Sequence, residues 1–299
     1  MDNEFKRRAF LAVIFGTLLG TPIAARLIRG WKPRQEEHYF STELNRVQTL
    51  LHVPIQPVAG PESFTLRLHP PVGREWKYVV FAPSFLPENL SQTLGNEPDM
   101  FLLKEGQLAV NQTNKGQIVF SGRDTNFSLH SPYHTEKRPN NETILLVRDG
   151  ALRLAEPKGE IIAHSDQQFL HLLALPGIPK EMTVGQKWNS TTGRVKPFEN
   201  CPTEYEVAGF AEVAGRKAVD IRFKGSIPNV AQLPGVNFHQ PDKEASMSNA
   251  HEGNAYFDLE TGLLVRQEVS MTTTCHDNEF VGKDGLTVKA NYIVQLFHA

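Results

Sequence analysis

From Ser63 onward the chain is written in short apolar–polar alternations broken by Gly- and Pro-bearing turns. A period of two fits a pleated strand with one buried face, which confines this region to antiparallel β structure. The stretch SFTLRLH (63–69) sets Phe64, Leu66 and Leu68 against Thr65, Arg67 and His69. After PPVG comes REWKYVVF (74–81), and the pair predicts a hairpin. QLAVNQ and QIVFSG flank TNKG as a second hairpin, and TILLVRDGALRLAEP (143–157) turns at Asp149-Gly150 as a third. EYEVAGFAEVAGRKAVDIRFKG (204–225) turns at Ala214-Gly215, NAYFDLETGLLVRQEVSMTTTC (254–275) turns at 260–262, and LTVKANYIVQLFH (286–298) closes the chain as a strand. Residues 82–100, 131–142 and 226–253 lack the alternation and are expected to be long loops. VGREW (72–76) and VGQKW (184–188) repeat one pattern and suggest two similar halves, 63–157 and 175–299. Thr42–His52 places Leu44, Val47, Leu50 and Leu51 on one helical face, with Ser41 or Thr42 as N-cap, inside a 31–62 linker region. The expected fold is mainly β: a curved antiparallel sheet, as half-barrel or sandwich, with one or two helices and an N-terminal apolar helix.

Residues 1–30 carry an address. A charge-free apolar run, Ala9–Ala25, follows Lys6, Arg7 and Arg8. Its 17 residues are at the short end for a bilayer span and exceed a usual signal-peptide core. Lys6-Arg7-Arg8-Ala9-Phe10-Leu11 resembles a twin-arginine export signal, with Arg7, Arg8, Phe10 and Leu11 as its matching residues. The small-residue rule for cleavage is poorly met, since Ile23 stands two residues before Ala25. Export follows, with the segment either cleaved or retained as a membrane anchor, and the mature body in the periplasm or another extracytoplasmic space.

The 299-residue chain has a formal charge of −2, which conceals an asymmetry. Residues 1–34 hold seven of its 31 basic and two of its 33 acidic residues, leaving the body at −7. An acidic body without a basic stripe argues against nucleic-acid binding. Cys201 and Cys275 lie 74 residues apart. In an oxidising compartment they either form a disulfide, worth about 4 kcal/mol in the chain-entropy model, or remain free thiols.

Motifs for chemistry are missing. The chain has no G-x-S-x-G elbow, phosphate loop, H-E-x-x-H or dinucleotide fingerprint. Cys275 and His276 are neighbours on a strand and point to opposite faces. The best metal candidates are His239, Asp242, Glu244, His251 and Glu252, with His130 and His134 as a further pair. Asp258, Glu260 and Gly262 read as turn residues. Asn-x-Ser/Thr triplets at Asn89, Asn111, Asn126, Asn141 and Asn189 mark exposed segments. The dense apolar run Phe169, Leu170, Leu172, Leu173 and Leu175 is either a helix packed on the sheet or the lining of an apolar ligand pocket.

LPGIPKEMTVGQKW (175–188), YEVAGFAEVAGRKAVDI (205–221) and AYFDLETGLLVRQE (255–268), with LRLHPPVGREWKYVV before them, resemble a pattern of exported bacterial β proteins. The resemblance implies a curved sheet akin to the lipoprotein-carrier (LolA/LolB-like) half-barrel over residues 63–298. The expected function is an exported, membrane-tethered binding or scaffolding protein, such as an accessory subunit of a membrane complex, without enzymatic activity or cofactor. Its partners would be the membrane, through the N-terminal segment, and an unidentified protein or lipid. A periplasmic lipid or lipoprotein carrier and a metal-dependent hydrolase are the alternatives.

Overall fold

In the computed structural model the described residues are 37–85, 97–112, 118–131, 134–137, 142–148, 151–154, 181–191, 202–227, 246–276 and 286–298. Helix α1 spans Glu37–Leu51. It begins earlier than Thr42 because Phe40 extends the apolar stripe: Phe40, Leu44, Val47 and Leu51 are all buried, at i, i+4, i+7 and i+11. Ser41 and Thr42 thus lie inside the helix, and Leu50 is exposed.

The strands are β1 (Ile55–Pro57), β2 (Ser63–Phe64), β3 (Glu75–Phe85), β4 (Met100–Gln112), β5 (Ile118–Ser131), β6 (His134–Lys137), β7 (Glu142–Arg148) and β8 (Ala151–Leu154). They continue as β9 (Met182–Thr183), β10 (Lys187–Thr191), β11 (Pro202–Val213), β12 (Arg216–Ile227), β13 (Ser246–Asp258), β14 (Leu264–His276) and β15 (Leu286–His298). One antiparallel sheet runs β1-β11-β12-β13-β14-β15-β3-β4-β5-β7-β8, with β10 beside β11 and β6 beside β5. It curves into a half-barrel. Two meanders meet where the C-terminal β15 pairs with β3, from Lys289 opposite Phe85 to His298 opposite Trp76.

Three local expectations change. Residues 63–69 do not form a hairpin with β3. Pro70 and Pro71 end the extended run, and Ser63–Phe64 pair instead with β9. The segment crosses the hairpin ends, where His69 N donates to Thr261 O (2.7 Å). A Cβ at Gly262 would lie 2.1 Å from Arg67 O, so this crossing needs glycine there. The 131–142 region contributes β6, and the 226–253 region contributes the end of β12 and the first half of β13. Those strands were hidden because SMSNAHEG carries small and polar residues on both faces.

The two VG-x-x-W segments form the same turn. Gly73 and Gly185 have φ of 82° and 84°. Gly73 N donates to Val110 O and Gly185 N to Val207 O, while Val110 N and Val207 N donate back to Arg74 O and Gln186 O. Trp76 and Trp188 then face Leu108 and Tyr205 across the first pair of each meander.

The sheet carries buried apolar residues on both faces, over the whole of one and part of the other. On the face away from α1, Trp76, Tyr78, Val80, Leu102, Leu108, Val110, Phe120, Val219, Ile221, Phe257, Val294 and Leu296 belong to one core. Inside it Lys104 Nζ meets Asp124 at 3.3 Å and lies 5.5 Å from the Phe127 ring centre. The Tyr78 hydroxyl donates to Asp124. Tyr78 reaches Asp124 across Gly106, where a Cβ would sit 2.3 Å from the tyrosine ring and 2.4 Å from Arg123 O. We predict that Gly106→Ala lowers the urea-unfolding free energy by about 2–3 kcal/mol, the scale of core overpacking. Gly73→Ala, which meets open space at positive φ, costs about 1 kcal/mol.

Candidate functional site

The other face has three parts: a strip under α1, a polar stretch, and a small apolar cluster of Ala211, Val213, Ala218, Tyr256 and Val265 against Val53 and Ile55. Under α1, Phe40, Leu44, Val47 and Leu51 pack on Val79 and Phe81 of β3, Phe101 and Leu103 of β4, and Ile293 and Phe297 of β15. A 15-residue helix is marginal alone in water, whereas each buried side chain contributes roughly 2 kcal/mol, so packing holds it. Its last turn carries no basic residue, and the sheet supplies one. Arg266 donates to the carbonyl of Leu51 (2.9 Å) and to Gln295 Oε1 (2.9 Å), and pairs with Glu268 (2.7 Å). Gln295 donates to the carbonyls of Val265 and Leu296. The guanidinium thus meets the negative end of the helix dipole.

Beyond α1 the same face turns polar. Direct cross-strand partners share a face. From Phe81 the register runs through Ile293, Glu268, Asn254, Arg222 and Glu206 to Lys187. The adjacent row runs Asn291, Ser270, Glu252, Lys224, Glu204 and Asn189. These two rows line a trough of about 620 Å³ across β10–β15. A second hollow of about 540 Å³ shares Glu204, Lys224, Glu252 and Ser270 and continues along the strands to Thr272, Ala250 and Ser226. The site is therefore an elongated groove, with α1 at one side.

Opposite charges alternate across the strands. Lys187 Nζ lies 3.4 Å from Glu206 and 4.0 Å from Glu204, and Lys224 lies 3.3 Å from Glu204. Asn254 donates to Asp220 Oδ1 at 2.9 Å. Burial raises the Asp220 carboxyl above the usual range, against the lowering effects of Asn254 and Arg222. Burial, followed by the charges of Asp220 and Glu268, pushes the Tyr256 phenol up to about 12. The exposed pairs contribute little to folding, since such pairs are worth up to about 1 kcal/mol. The groove can hold a polar partner by charge and hydrogen bonds.

A second polar cluster lies beyond the N-terminal half of α1. His130 stacks on Phe101 (centroids 4.6 Å apart, planes 15° apart) and lies 6.0 Å from the Tyr39 ring. Its Nε2 is 2.7 Å from Ser128 Oγ and its Nδ1 is 3.3 Å from Thr135 Oγ1. Ser128 and His130 are each 1% exposed, so this serine–histidine pair is closed to substrate.

Most residues singled out in the sequence fall elsewhere. Arg7, Arg8, Phe10, Leu11, Cys201, Phe169, Leu170, Leu172, Leu173, Leu175, His239, Asp242 and Glu244 lie outside the described residues. So does the N-terminal apolar run; among the described residues no helix is long and apolar enough to cross a membrane. Cys275 sits on β14 opposite Met247 and Leu286. His251 and Glu252 are successive on β13 and take opposite faces, so they do not share one metal site. His251 lies across Gly225 toward Thr203, and burial lowers its pKa, while Glu252 enters the groove. His134 pairs in register with Ser131, not His130. Among the described residues no group of three potential metal ligands converges. Asp258 is a turn residue: its Oδ1 accepts from the amides of Glu260 and Thr261, Arg216 pairs with Oδ2, and Gly262 has φ of 67°. Sequence reasoning missed the groove. Its signal was EYE, DIRFK, EGN and RQEVS, in which charged and polar residues recur at every second position and read as an ordinary solvent face.

No protein-family model matches the chain, and no protein of curated function matches it. Among solved structures the chain is similar to lipovitellin, in a study of its lipid–protein interactions. The TM-score is 0.42 and the identity 10%, over 80% of this chain and 25% of that one. The chain thus spans about a quarter of lipovitellin's length. It is also similar to a DUF1329 family protein from Desulfovibrio piger, with a TM-score of 0.16 and 7% identity over 88% of this chain and 93% of that one. At these levels neither assigns a family.

Because the groove's charged side chains are exposed, Arg222→Gln and Glu252→Gln are each expected to change the unfolding free energy by less than about 0.5 kcal/mol. Loss of stability well beyond this in denaturant titrations would make the groove a structural element.

Proposed function

We propose that this protein is an exported, membrane-tethered binding or scaffolding protein, and that the charged groove on the helix-bearing face holds its partner. The observation that carries this reading is the groove itself: two in-register rows of charged and amide side chains over β10–β15, beside an apolar region covered by α1. A core needs no such rows, and their exposed ion pairs add little to stability. The basic cluster with Phe10 and Leu11, followed by the apolar run to Ala25, supports export and tethering. A tether raises the groove's effective concentration beside a membrane assembly, which strengthens weak polar contacts. Catalysis is not part of the proposal. The close serine–histidine pair Ser128–His130 is buried.

The half-barrel keeps a lipid or lipoprotein carrier as the second reading, with Phe169–Leu175 as its apolar lining. One experiment separates the two. The full chain is purified from native membranes in mild detergent and weighed by native mass spectrometry, beside the Arg222→Glu/Lys224→Glu variant. Binding through the groove predicts a protein partner in fixed ratio with the wild type, lost from the variant, and an intact N-terminal segment. Lipid mass on a cleaved chain, unchanged in the variant, supports the carrier and overturns the groove.

A further inference from the structure

The polar cluster at His130 has a direction. Ser128 donates its hydroxyl to Asn126 Oδ1 (3.3 Å), which leaves its oxygen to accept from His130 Nε2 (2.7 Å). Asn126 Nδ2 donates to Glu105 Oε2 (2.9 Å), and Arg46 donates from one nitrogen to Glu105 Oε1 (2.9 Å). Arg46 also grips Glu43 through two contacts of 2.9 and 2.8 Å. At the other end Thr135 lies 3.3 Å from His130 Nδ1 and is placed to donate to it. This assignment follows from the network and makes His130 neutral, with its proton on Nε2. The chain runs from β6 through β5 and β4 into α1, and Tyr39 and Phe101 flank the imidazole.

The two ends of α1 are held by different chemistry. At the C-terminal end Arg266, itself held by Gln295, donates to the carbonyl of Leu51. Upstream of that end the tie passes through Arg46 in the middle of the helix and the ring contact of Tyr39 near its N-terminus. We propose that His130 is a proton-operated latch: its protonation frees the N-terminal half of α1, which pivots near Leu51 and uncovers Val79, Phe81, Phe101 and Leu103. The latch stands whether or not the groove is the binding face, although Ile293 borders both the groove and the strip beneath α1.

The electrostatics point the same way. Burial outweighs the neighbouring charges and holds the imidazole down to about 4. The charged groups facing it are Glu43 and Arg46 of α1, Glu105 of β4 and Lys137 of β6. Glu43 and Glu105 already bind Arg46, so an imidazolium competes with Arg46 for both. A released helix leaves His130 in water near 6.5. The docked form therefore binds fewer protons. Docking is complete above about pH 6.5 and weakens as pH falls toward 4, by up to about tenfold per pH unit.

Hydrogen exchange of the full-length chain in detergent, corrected for intrinsic rates, tests the latch at pH 7.5 and 5.0. We expect amides 41–46 to lose at least about tenfold protection at pH 5.0, while β12–β14 keep theirs. In His130→Gln, which stays neutral, protection of α1 becomes independent of pH. Unchanged wild-type protection at pH 5.0, loss shared equally by β12–β14, or the same loss in the variant overturns the proposal. If the variant does not fold, NMR titration of wild-type His130 decides. A midpoint below 6.5 that coincides with α1 opening supports the latch, and a midpoint at or above 6.5 refutes it.

Discussion

The pairing of β15 with β3 is the contact on which the rest depends. Each meander is local, built from hairpins whose partners are close in sequence. The β15–β3 ladder joins the last strand of the chain to the first long one, from Lys289–Phe85 to His298–Trp76. It also makes the floor for α1, because Val79, Phe81, Ile293 and Phe297 come from these two strands. Without it the helix loses its apolar floor and the groove loses its wall. Closing so long a loop is slow, so the ladder should form late in folding.

The helix-bearing face then divides its labour by side-chain type. Apolar residues on β3, β4 and β15 take the helix, while charged and amide residues on β10–β14 take water or a partner. Arg266 sits at the seam. Its side chain reaches the helix carbonyl of Leu51 and the groove carboxylate of Glu268. Burying that charge is tolerable because Glu268, the Leu51 carbonyl and Gln295 all accept from it. The seam couples the position of α1 to the charge pattern of the groove.

Much of this architecture was legible in the residues. Period-two alternation exposed β3, β5, β11, β12, β14 and β15, and positive φ at Ala214 and Gly215 matches the hairpin expected between β11 and β12. The repeated VG-x-x-W does form one turn twice. Elsewhere the alternation hid the answer. SMSNAHEG became half of β13 although it has no apolar face, since its partners, not its own pattern, pair it. The SFTLRLH run alternates well but crosses hairpin ends as a strap. The groove was illegible because a functional charged row and a solvated one look alike in sequence; curvature and register distinguish them.

If the groove on the helix-bearing face is where this protein meets its partner, as proposed, it should be covered in the native membrane and open in the purified protein. Hydroxyl-radical footprinting in native membranes, compared with the purified protein, addresses it directly. Side chains of Lys187, Glu206, Arg222, Lys224 and Glu252 are expected to be protected in membranes and reactive when purified, with exposed Val72 and Val184 reactive in both. Equal reactivity of the groove in both states, or protection centred on Val72 and Val184, would contradict it.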